Sequence, residues 1–186
     1  MVILRLQGLS KQFGGVQAVK NVSLSINKGE IVGIIGPNGA GKTTLFNMIS
    51  YFISPDEGEV IFNKENITGL SPQKISRMGL LRTFQTPFGY PQLSCLENLM
   101  VVPSQIGERF YSPLFQRKKV LQQEEENYLK ALSLLEKVNL LHKKNEKVVH
   151  LSAGELKLLE ISRQLMADPK LLLLDEPASG VNPAML

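Results

Sequence analysis

The feature that most constrains this chain is a phosphate-binding loop that follows a short apolar run. Residues 31–35, IVGII, predict a parallel strand that is covered on both faces. Gly36, Gly41, Lys42 and Thr43 then match the pattern G-x-x-x-x-G-K-[ST]. Apolar residues continue at helical spacing, at Leu45, Phe46, Ile49 and Phe52. The sequence therefore predicts a strand, a loop and a helix, the arrangement that holds the phosphates of a nucleotide.

The residue types of this loop suit phosphate chemistry. Glycines let backbone N–H groups close around a β-phosphate, and the helix N-terminus adds partial positive charge. Lys42 supplies a full charge for the β- and γ-phosphates, and Thr43 offers a hydroxyl to Mg²⁺. Pro37 and Asn38 suit the turn that leaves the strand. We therefore expect a nucleotide and Mg²⁺ at residues 36–44.

A second motif places two carboxylates after an apolar strand, at residues 171–174. Ligands of α/β proteins bind at the carboxyl ends of the strands, which is where this acid pair lies. Asp175 could hold Mg²⁺ through a water molecule, and Glu176 could polarise an attacking water. The alternative is a strand that simply ends in solvent-exposed acids.

The N-terminal residues alternate between apolar and polar types. This pattern predicts two antiparallel strands, around residues 4–9 and 22–26, joined by a tight turn at Gly14 and Gly15. Phe13 precedes the turn and has two interpretations. Its ring is either exposed, where it could stack on a nucleotide base, or part of the core of the sheet. A further edge strand is predicted at residues 59–62.

Helix signals dominate the middle of the chain. Ser71 and Pro72 begin a short helix, Ser94 and Glu97 form a capping box, and a strand at residues 80–84 separates the two. A long amphipathic helix is predicted from residue 117 to about residue 141. Its expected apolar stripe consists of Leu121, Tyr128, Leu129, Leu132, Leu135 and Val138.

The segment LSAGE precedes another helix. By local rules Ser152 and Glu155, three residues apart, form only a capping box. A helix N-terminus that carries a hydroxyl and a glycine is also a phosphate site, and the two interpretations are compatible.

Composition excludes several classes of protein. No apolar run approaches the roughly 20 residues that span a bilayer, so we expect a chain that is neither exported nor membrane-embedded by its own sequence. The net charge is only +4 over 186 residues, without a basic stripe and interleaved aromatics, which argues against nucleic-acid binding. The single cysteine, Cys95, fits a small buried side chain.

Four segments in a fixed order resemble one known family. They are GPNGAGKTT, RTFQ, LSAGE and LLLLDEP, at residues 36–44, 82–85, 151–155 and 171–177. This combination resembles the ATP-binding subunit of ABC transporters. FN after the phosphate loop, LLEI after LSAGE and Asn182-Pro183 make it most similar to the ATPases of branched-chain amino acid importers. The resemblance covers essentially the whole chain.

The resemblance implies a fold and a division of the chain. The fold is α/β, a P-loop NTPase core of the ABC type with a mostly parallel sheet, N-terminal antiparallel strands and an inserted helical lobe. The nucleotide-binding core would comprise residues 1–85 and 166–186, and the helical signature lobe residues 86–165.

The resemblance also implies roles for individual residues. Phe13 would stack on adenine, and Gln85 would sense the γ-phosphate and Mg²⁺ and link to the membrane subunits. Asp175 would hold the metal, with Thr43 and Gln85, and Glu176 would be the catalytic base. The phosphates would be held by the loop residues Gly36, Pro37, Asn38, Gly39, Ala40, Gly41, Lys42, Thr43 and Thr44.

The implied partners follow from the same family. Ser152, Gly154 and Glu155 would contact the γ-phosphate of ATP bound to a second ATPase subunit in a head-to-tail dimer. Permease subunits, and indirectly a solute-binding protein, would complete the transporter, with the ATPase peripheral on the cytoplasmic face of the membrane. The function implied is ATP hydrolysis that drives import of branched-chain or related amino acids.

The chain departs from the family pattern at four places. Ala153 stands where glycine is common, Glu155 where glutamine is common, and Asn182 where aspartate is usual. The family also has a switch histidine some thirty residues beyond the position of Glu176, and only ten residues follow Glu176 here. His142 and His150 lie upstream, where we expect them to decorate the helical lobe.

Two alternatives are open. The missing histidine is compatible with a truncated or regulatory nucleotide-binding protein without turnover. The ATPase of a lipid or lipopolysaccharide exporter is the other, because related subunits share much of the pattern. We also expect residues 31–35 and 171–174 to lack the strand that separates them in the family, to stand about 10 Å apart and unpaired, and to leave residues 1–186 alone unstable or prone to aggregation.

Overall fold

The computed structural model describes residues 1–83, 89–103 and 117–177. The chain divides into two compact units, Met1–Leu81 and Arg82–Leu186. We describe each unit by itself. The prediction for Gln85 and that for Asn182 lie outside the described residues.

An antiparallel sheet of four strands forms the first unit, in the order β2-β1-β3-β4. The strands are β1 (Val2–Phe13), β2 (Val16–Asn27), β3 (Glu57–Phe62) and β4 (Glu65–Asn66). Leu4 and Leu6 of β1 are buried while Arg5 and Gln7 are exposed, because alternate side chains of a strand face opposite sides. The register shifts between Leu6 and Leu9, and Leu9 is buried as well. The predicted antiparallel pair is therefore confirmed.

The strand predicted at residues 59–62 forms, but the prediction that it lies at the edge of the sheet is wrong. β3 lies between β1 and β4 and is paired on both sides. Asn63 and Lys64 adopt positive φ and form a tight turn, so the chain returns at once as the two-residue strand β4. This turn makes β4 the edge of the sheet.

Two helices belong to the first unit, and both start where the sequence predicts. Helix α1 (Lys42–Ile49) begins directly after Gly41 and buries Leu45, Met48 and Ile49. Helix α2 (Pro72–Arg77) has Ser71 at its N-cap position and proline at its first position.

The predicted strand at residues 31–35 does not form. This segment has no regular secondary structure, and Ile31 and Ile35 are 100% and 97% exposed. An apolar run becomes a buried strand only when neighbouring strands pair with its N–H and C=O groups. Among the described strands none pairs with this segment, so the mostly parallel sheet expected around it is not built in the described part. The separation of about 10 Å from residues 171–174 stays a prediction.

The second unit is mainly helical. β5 (Leu80–Arg82) lies where the first unit ends and the second begins, and β6 (Leu171–Leu173) belongs to the second unit. Helices α3 (Cys95–Met100), α4 (Arg117–Lys137) and α5 (Ala153–Met166) surround a core. That core includes Cys95, Leu99, Leu135, Leu140 and Leu159.

Two predictions for the long helix need correction. Helix α4 ends at Lys137, four residues early, because Asn139 adopts a left-handed φ of 57° that stops the helix. The N-terminal half of the apolar stripe, which was expected to be buried, is exposed at Leu121, Tyr128 and Leu129. Only the C-terminal half of the helix packs against α3 and α5, with Ala131 and Leu135 fully buried.

Candidate functional site

The phosphate loop is set by two glycines in left-handed conformations. Gly39 has a φ of 82°, and Gly41, the N-cap of α1, has a φ of 83°. A Cβ atom at Gly41 would collide with the carbonyl oxygen of Ala18 on β2. Glycine is therefore required at position 41 both for the backbone conformation and for the close packing of the loop against the sheet.

Lys42 lies across this loop. Its ammonium donates hydrogen bonds to the carbonyl oxygens of Gly36 and Pro37, each at 2.8 Å. The first turn of α1 consists of Lys42, Thr43 and Thr44, and among the described residues no side chain caps this helix. The helix N-terminus thus presents backbone N–H groups, an ammonium and two hydroxyls, which is chemistry for an anion with several oxygens.

The Phe13 ring is exposed. It ends β1, is 46% exposed, and has the ammonium of Lys11 at 5.6 Å from its centroid. Lys11 is fixed by an ion pair of 2.6 Å with Asp56, and this bond and the Gln12 N–H lower the pKa of the Asp56 carboxyl. Of the two interpretations of Phe13, the core residue is therefore wrong, and its stacking on adenine stays a prediction.

Asp175 is buried and is held by two hydrogen bonds. Its carboxylate accepts a hydrogen bond of 3.1 Å from Arg82, and the two side chains are only 6% and 7% exposed. Its backbone N–H donates to the hydroxyl of Thr83 at 3.2 Å, and the N–H of Thr83 donates to Leu173 of β6 at 3.0 Å. The interpretation of Asp175 as a solvent-exposed acid is therefore wrong.

Arg82 is a residue that the sequence reasoning missed. It was noted only as part of RTFQ, and its partner lies 93 positions away in the chain. One signal was available in the sequence. Arg82 lies at the end of a predicted strand, in the RTFQ motif, and the predicted site also contains an aspartate, Asp175, at the end of another apolar strand. A buried carboxylate needs such a partner, because an unpaired buried charge is costly.

Glu176 differs from its neighbour. It is exposed and adopts a left-handed φ of 48°. A non-glycine residue in this region costs about 1–2 kcal/mol, and such residues concentrate at functional sites. The strain at Glu176 supports a functional role for this carboxylate without assigning one.

The LSAGE segment forms the capping box that the sequence predicts. The Glu155 carboxylate accepts hydrogen bonds from the Ser152 N–H at 2.8 Å and from the Ser152 hydroxyl at 2.9 Å. The Glu155 N–H donates to the Ser152 hydroxyl at 3.3 Å, and Lys143 pairs with the second carboxylate oxygen at 2.7 Å. Ser152 is exposed at the N-terminus of α5, and Gly154 is buried behind it.

These contacts perturb the two charged groups. Burial alone would raise the pKa of Glu155, but the Lys143 hydrogen bond and the Ser152 bonds outweigh it, and the pKa is lowered. The pKa of Lys143 is raised, chiefly by its hydrogen bond to Glu155. Both groups are therefore charged at neutral pH.

The expected Mg²⁺ ligands are of the right chemical type. Mg²⁺ takes oxygen ligands and is commonly bound by one or two carboxylates together with substrate phosphates. Thr43 supplies a hydroxyl and Asp175 a carboxylate, although Asp175 already has Arg82 as its partner. The described residues contain no preformed cluster of three or more metal-binding side chains. Each of the two side chains is thus of a chemical type that Mg²⁺ takes.

Two further observations concern the described residues outside the motifs. A hollow of about 620 Å³ lies beside the end of α4, lined by residues that include Glu136, His142 and Glu146, and no motif residue lines it. Across the described ranges, no helix has the length and apolar character needed to span a bilayer.

Comparison with known proteins places the motifs in context. A family model described as ABC transporter matches residues 19–179. A probable branched-chain amino acid transport ATP-binding protein, LivG, from Archaeoglobus fulgidus is 45% identical over 185 residues. That match covers 100% of this chain and 71% of the relative.

Solved structures give the same assignment. A nucleotide-free ATP-binding cassette from an ABC transporter matches with a TM-score of 0.78 and 43% identity, over 100% of this chain and 73% of that one. A dimeric post-hydrolysis state of an ATP-binding cassette bound to ADP and Pi matches with a TM-score of 0.76 and 27% identity, over 98% of this chain and 78% of that one. The expected fold class, which these cassettes share, is thereby confirmed.

Proposed function

The chain belongs to the ABC transporter family of ATP-binding proteins, and from this membership we propose that it drives the import of branched-chain or related amino acids. The observation that carries the proposal is the 45% identity to a LivG protein across the whole chain, with all four motifs in order. The chain is an ATPase of the ABC type, and the substrate is the part of the proposal that rests on its relatives' names.

The residues of the motifs would divide the chemistry among them. The loop of residues 36–44 would enclose the phosphates, and Lys42 would exchange its two carbonyl partners for β- and γ-phosphate oxygens. Glu176 would orient a water for in-line attack on the γ-phosphate. Mg²⁺, when bound through Thr43, Gln85 and Asp175, would supply charge neutralisation. Phe13 would stack on adenine.

We propose that the active unit is an assembly. Ser152, Gly154 and Glu155 would contact the γ-phosphate of ATP held by a second ATPase subunit, in a head-to-tail dimer. The similar ATP-binding cassette that is dimeric and bound to ADP and Pi supports a dimer. Membrane permeases and a solute-binding protein would complete the importer, with this chain peripheral on the cytoplasmic face.

The test is ATP turnover by the assembled complex with Glu176→Gln. We expect ATP to bind as before and turnover to fall at least about 100-fold, the size of effect that general base catalysis supplies. Glu125→Gln, on the exposed face of α4, is the matched control and should turn over ATP normally. Unchanged turnover in Glu176→Gln would remove Glu176 from this role.

Three other outcomes distinguish the remaining alternatives. A complex that binds ATP and never hydrolyses it would support a regulatory protein without turnover. Stimulation of turnover by a binding protein loaded with leucine, isoleucine or valine would support amino acid import. Stimulation by lipid or lipopolysaccharide instead would support an exporter.

A further inference from the structure

The chain contains two capping boxes with nearly the same geometry. In α3, the Ser94 N–H donates to Glu97 at 2.7 Å, and the Glu97 N–H donates to the Ser94 hydroxyl at 3.2 Å. In α5, the equivalent bonds between Ser152 and Glu155 measure 2.8 and 3.3 Å. The pair provides an internal control, because any feature found in only one box is not needed for capping.

Lys143 is that feature. Its ammonium lies 2.7 Å from the Glu155 carboxylate, whereas the structure gives Glu97 no ion-pair partner within the described ranges. The pKa of Glu97 is lowered by its bonds to Ser94 alone. Capping therefore does not require a lysine. Lys143 also lies 3.9 Å from the Glu146 carboxylate, and its shorter contact, 2.7 Å, is with Glu155.

The backbone around Lys143 is well fixed. Lys143 ends a 3₁₀ turn, Leu141–Lys143, in which its N–H donates to the carbonyl of the fully buried Leu140 at 3.0 Å. Its own carbonyl accepts from the Glu146 N–H at 2.9 Å, and the Glu146 carbonyl accepts from the Cys95 N–H at 3.0 Å. The loop is thus bonded to the start of α3, and the lysine is presented from a rigid support.

An acidic side chain at position 155 has an electrostatic cost in the proposed function. In the proposed dimer this segment faces the γ-phosphate of ATP on the partner, and two negative charges at a few ångströms repel each other. Glutamine, common at this position in the family, would avoid this cost. A positive charge beside Glu155 would reduce this repulsion, and the Lys143 ammonium lies 2.7 Å from its carboxylate.

We propose that Lys143 supplies the positive charge that balances Glu155 where the LSAGE segment faces ATP bound to the partner subunit. The ammonium neutralises the carboxylate and helps the box to hold it, so that the N-terminus of α5 stays favourable to an anion. Lys143 is then a positioning residue, since it acts through Glu155. This inference rests on the proposed function, because it needs the LSAGE segment to face a nucleotide.

The test is a double-mutant cycle on ATP turnover by the assembled complex. Lys143→Met should raise the KM for ATP about five- to tenfold, the effect of one uncompensated charge near the phosphate, while kcat changes less. Glu155→Gln alone gives the reference KM of a segment that lacks the carboxylate. The variant with both substitutions should return to the KM of Glu155→Gln, because no negative charge remains to be neutralised.

Controls separate this from a structural effect. Lys143→Arg should behave as the wild type, and Lys147→Met, an exposed neighbour on the same loop, should leave KM unchanged. If Lys143 only stabilised the fold, the variant with both substitutions would have the same raised KM for ATP as Lys143→Met. That result, or an unchanged KM in Lys143→Met, would overturn the proposal while leaving the ATPase function intact. Absence of turnover in the wild-type complex would instead contradict the proposed function, and this inference with it.

Discussion

The N-termini of α1 and α5 are both glycine-containing phosphate sites in the proposed function, yet they are held in different ways. At α1, Gly41 in a left-handed conformation packs against β2, and Lys42 adds a positive charge. At α5, Ser152 and Glu155 use their own side chains to cap the helix, and a lysine from another loop balances the acid. The α1 site is shaped by the backbone and can accept an anion. The α5 site already contains the Glu155 carboxylate, whose negative charge Lys143 balances.

The two sites therefore depend on different interactions. The α1 site depends on space and backbone conformation, and should therefore fail when a side-chain atom is added at Gly41. The second unit depends on paired charges, at Asp175 as well as at Glu155, and should fail when one partner is removed.

The largest effect should come from Arg82→Met. This substitution leaves the Asp175 carboxylate buried without its partner, and breaking a buried ion pair in this way costs about 3–5 kcal/mol. Chemical denaturation should show this loss of stability, and Arg77→Met, on the exposed face of α2, should change it by less than about 0.5 kcal/mol. A stable Arg82→Met variant would show that the second unit does not depend on this pair.

Gly41→Ala should have the next largest effect. The left-handed φ costs about 1–2 kcal/mol for alanine, and the collision with Ala18 adds about 1–3 kcal/mol of overpacking. Gly29→Ala is a close control, because Gly29 has a φ of 81° and open space around it. Unfolding curves should separate the two variants. Equal stabilities would contradict the close packing of the loop against β2.

The smallest effect should come from the two capping serines. Ser94→Ala and Ser152→Ala each remove a helix cap, and each should cost about 1 kcal/mol of unfolding free energy. Only Ser152→Ala should also lower ATP turnover in the assembled complex. If both variants lost turnover to the same extent, the role proposed for the LSAGE segment would reduce to helix stability.

Sequence reasoning succeeded where the signal is local. Both capping boxes, the start of α1 at Lys42 and the start of α2 at Pro72 were predicted correctly. Each of these features is decided by residues within about four positions, through hydrogen bonds and backbone preferences that a short stretch determines by itself.

It failed where the partner lies far away in the chain. The apolar run at residues 31–35 has the composition of a buried strand, but a strand needs neighbours to pair with, and composition does not supply them. The bonds from Arg82 to Asp175 and from Lys143 to Glu155 were also missed, since no local pattern links residues 93 or 12 positions apart. The motifs predicted much of the candidate site. The residues that contact and fix the motif side chains, Arg82 and Lys143, were identified only from the structure.

The most direct measurement is the affinity of the purified full chain for Mg²⁺-ATP, by titration calorimetry, with and without Lys42→Met. We predict that the wild type binds ATP and that Lys42→Met weakens binding at least about 100-fold, because the only full positive charge in the first turn of α1 is lost. Lys28→Met, at an exposed turn after β2, should bind as the wild type. Equal affinity of the wild type and Lys42→Met would contradict the assignment of residues 36–44 as the ATP site.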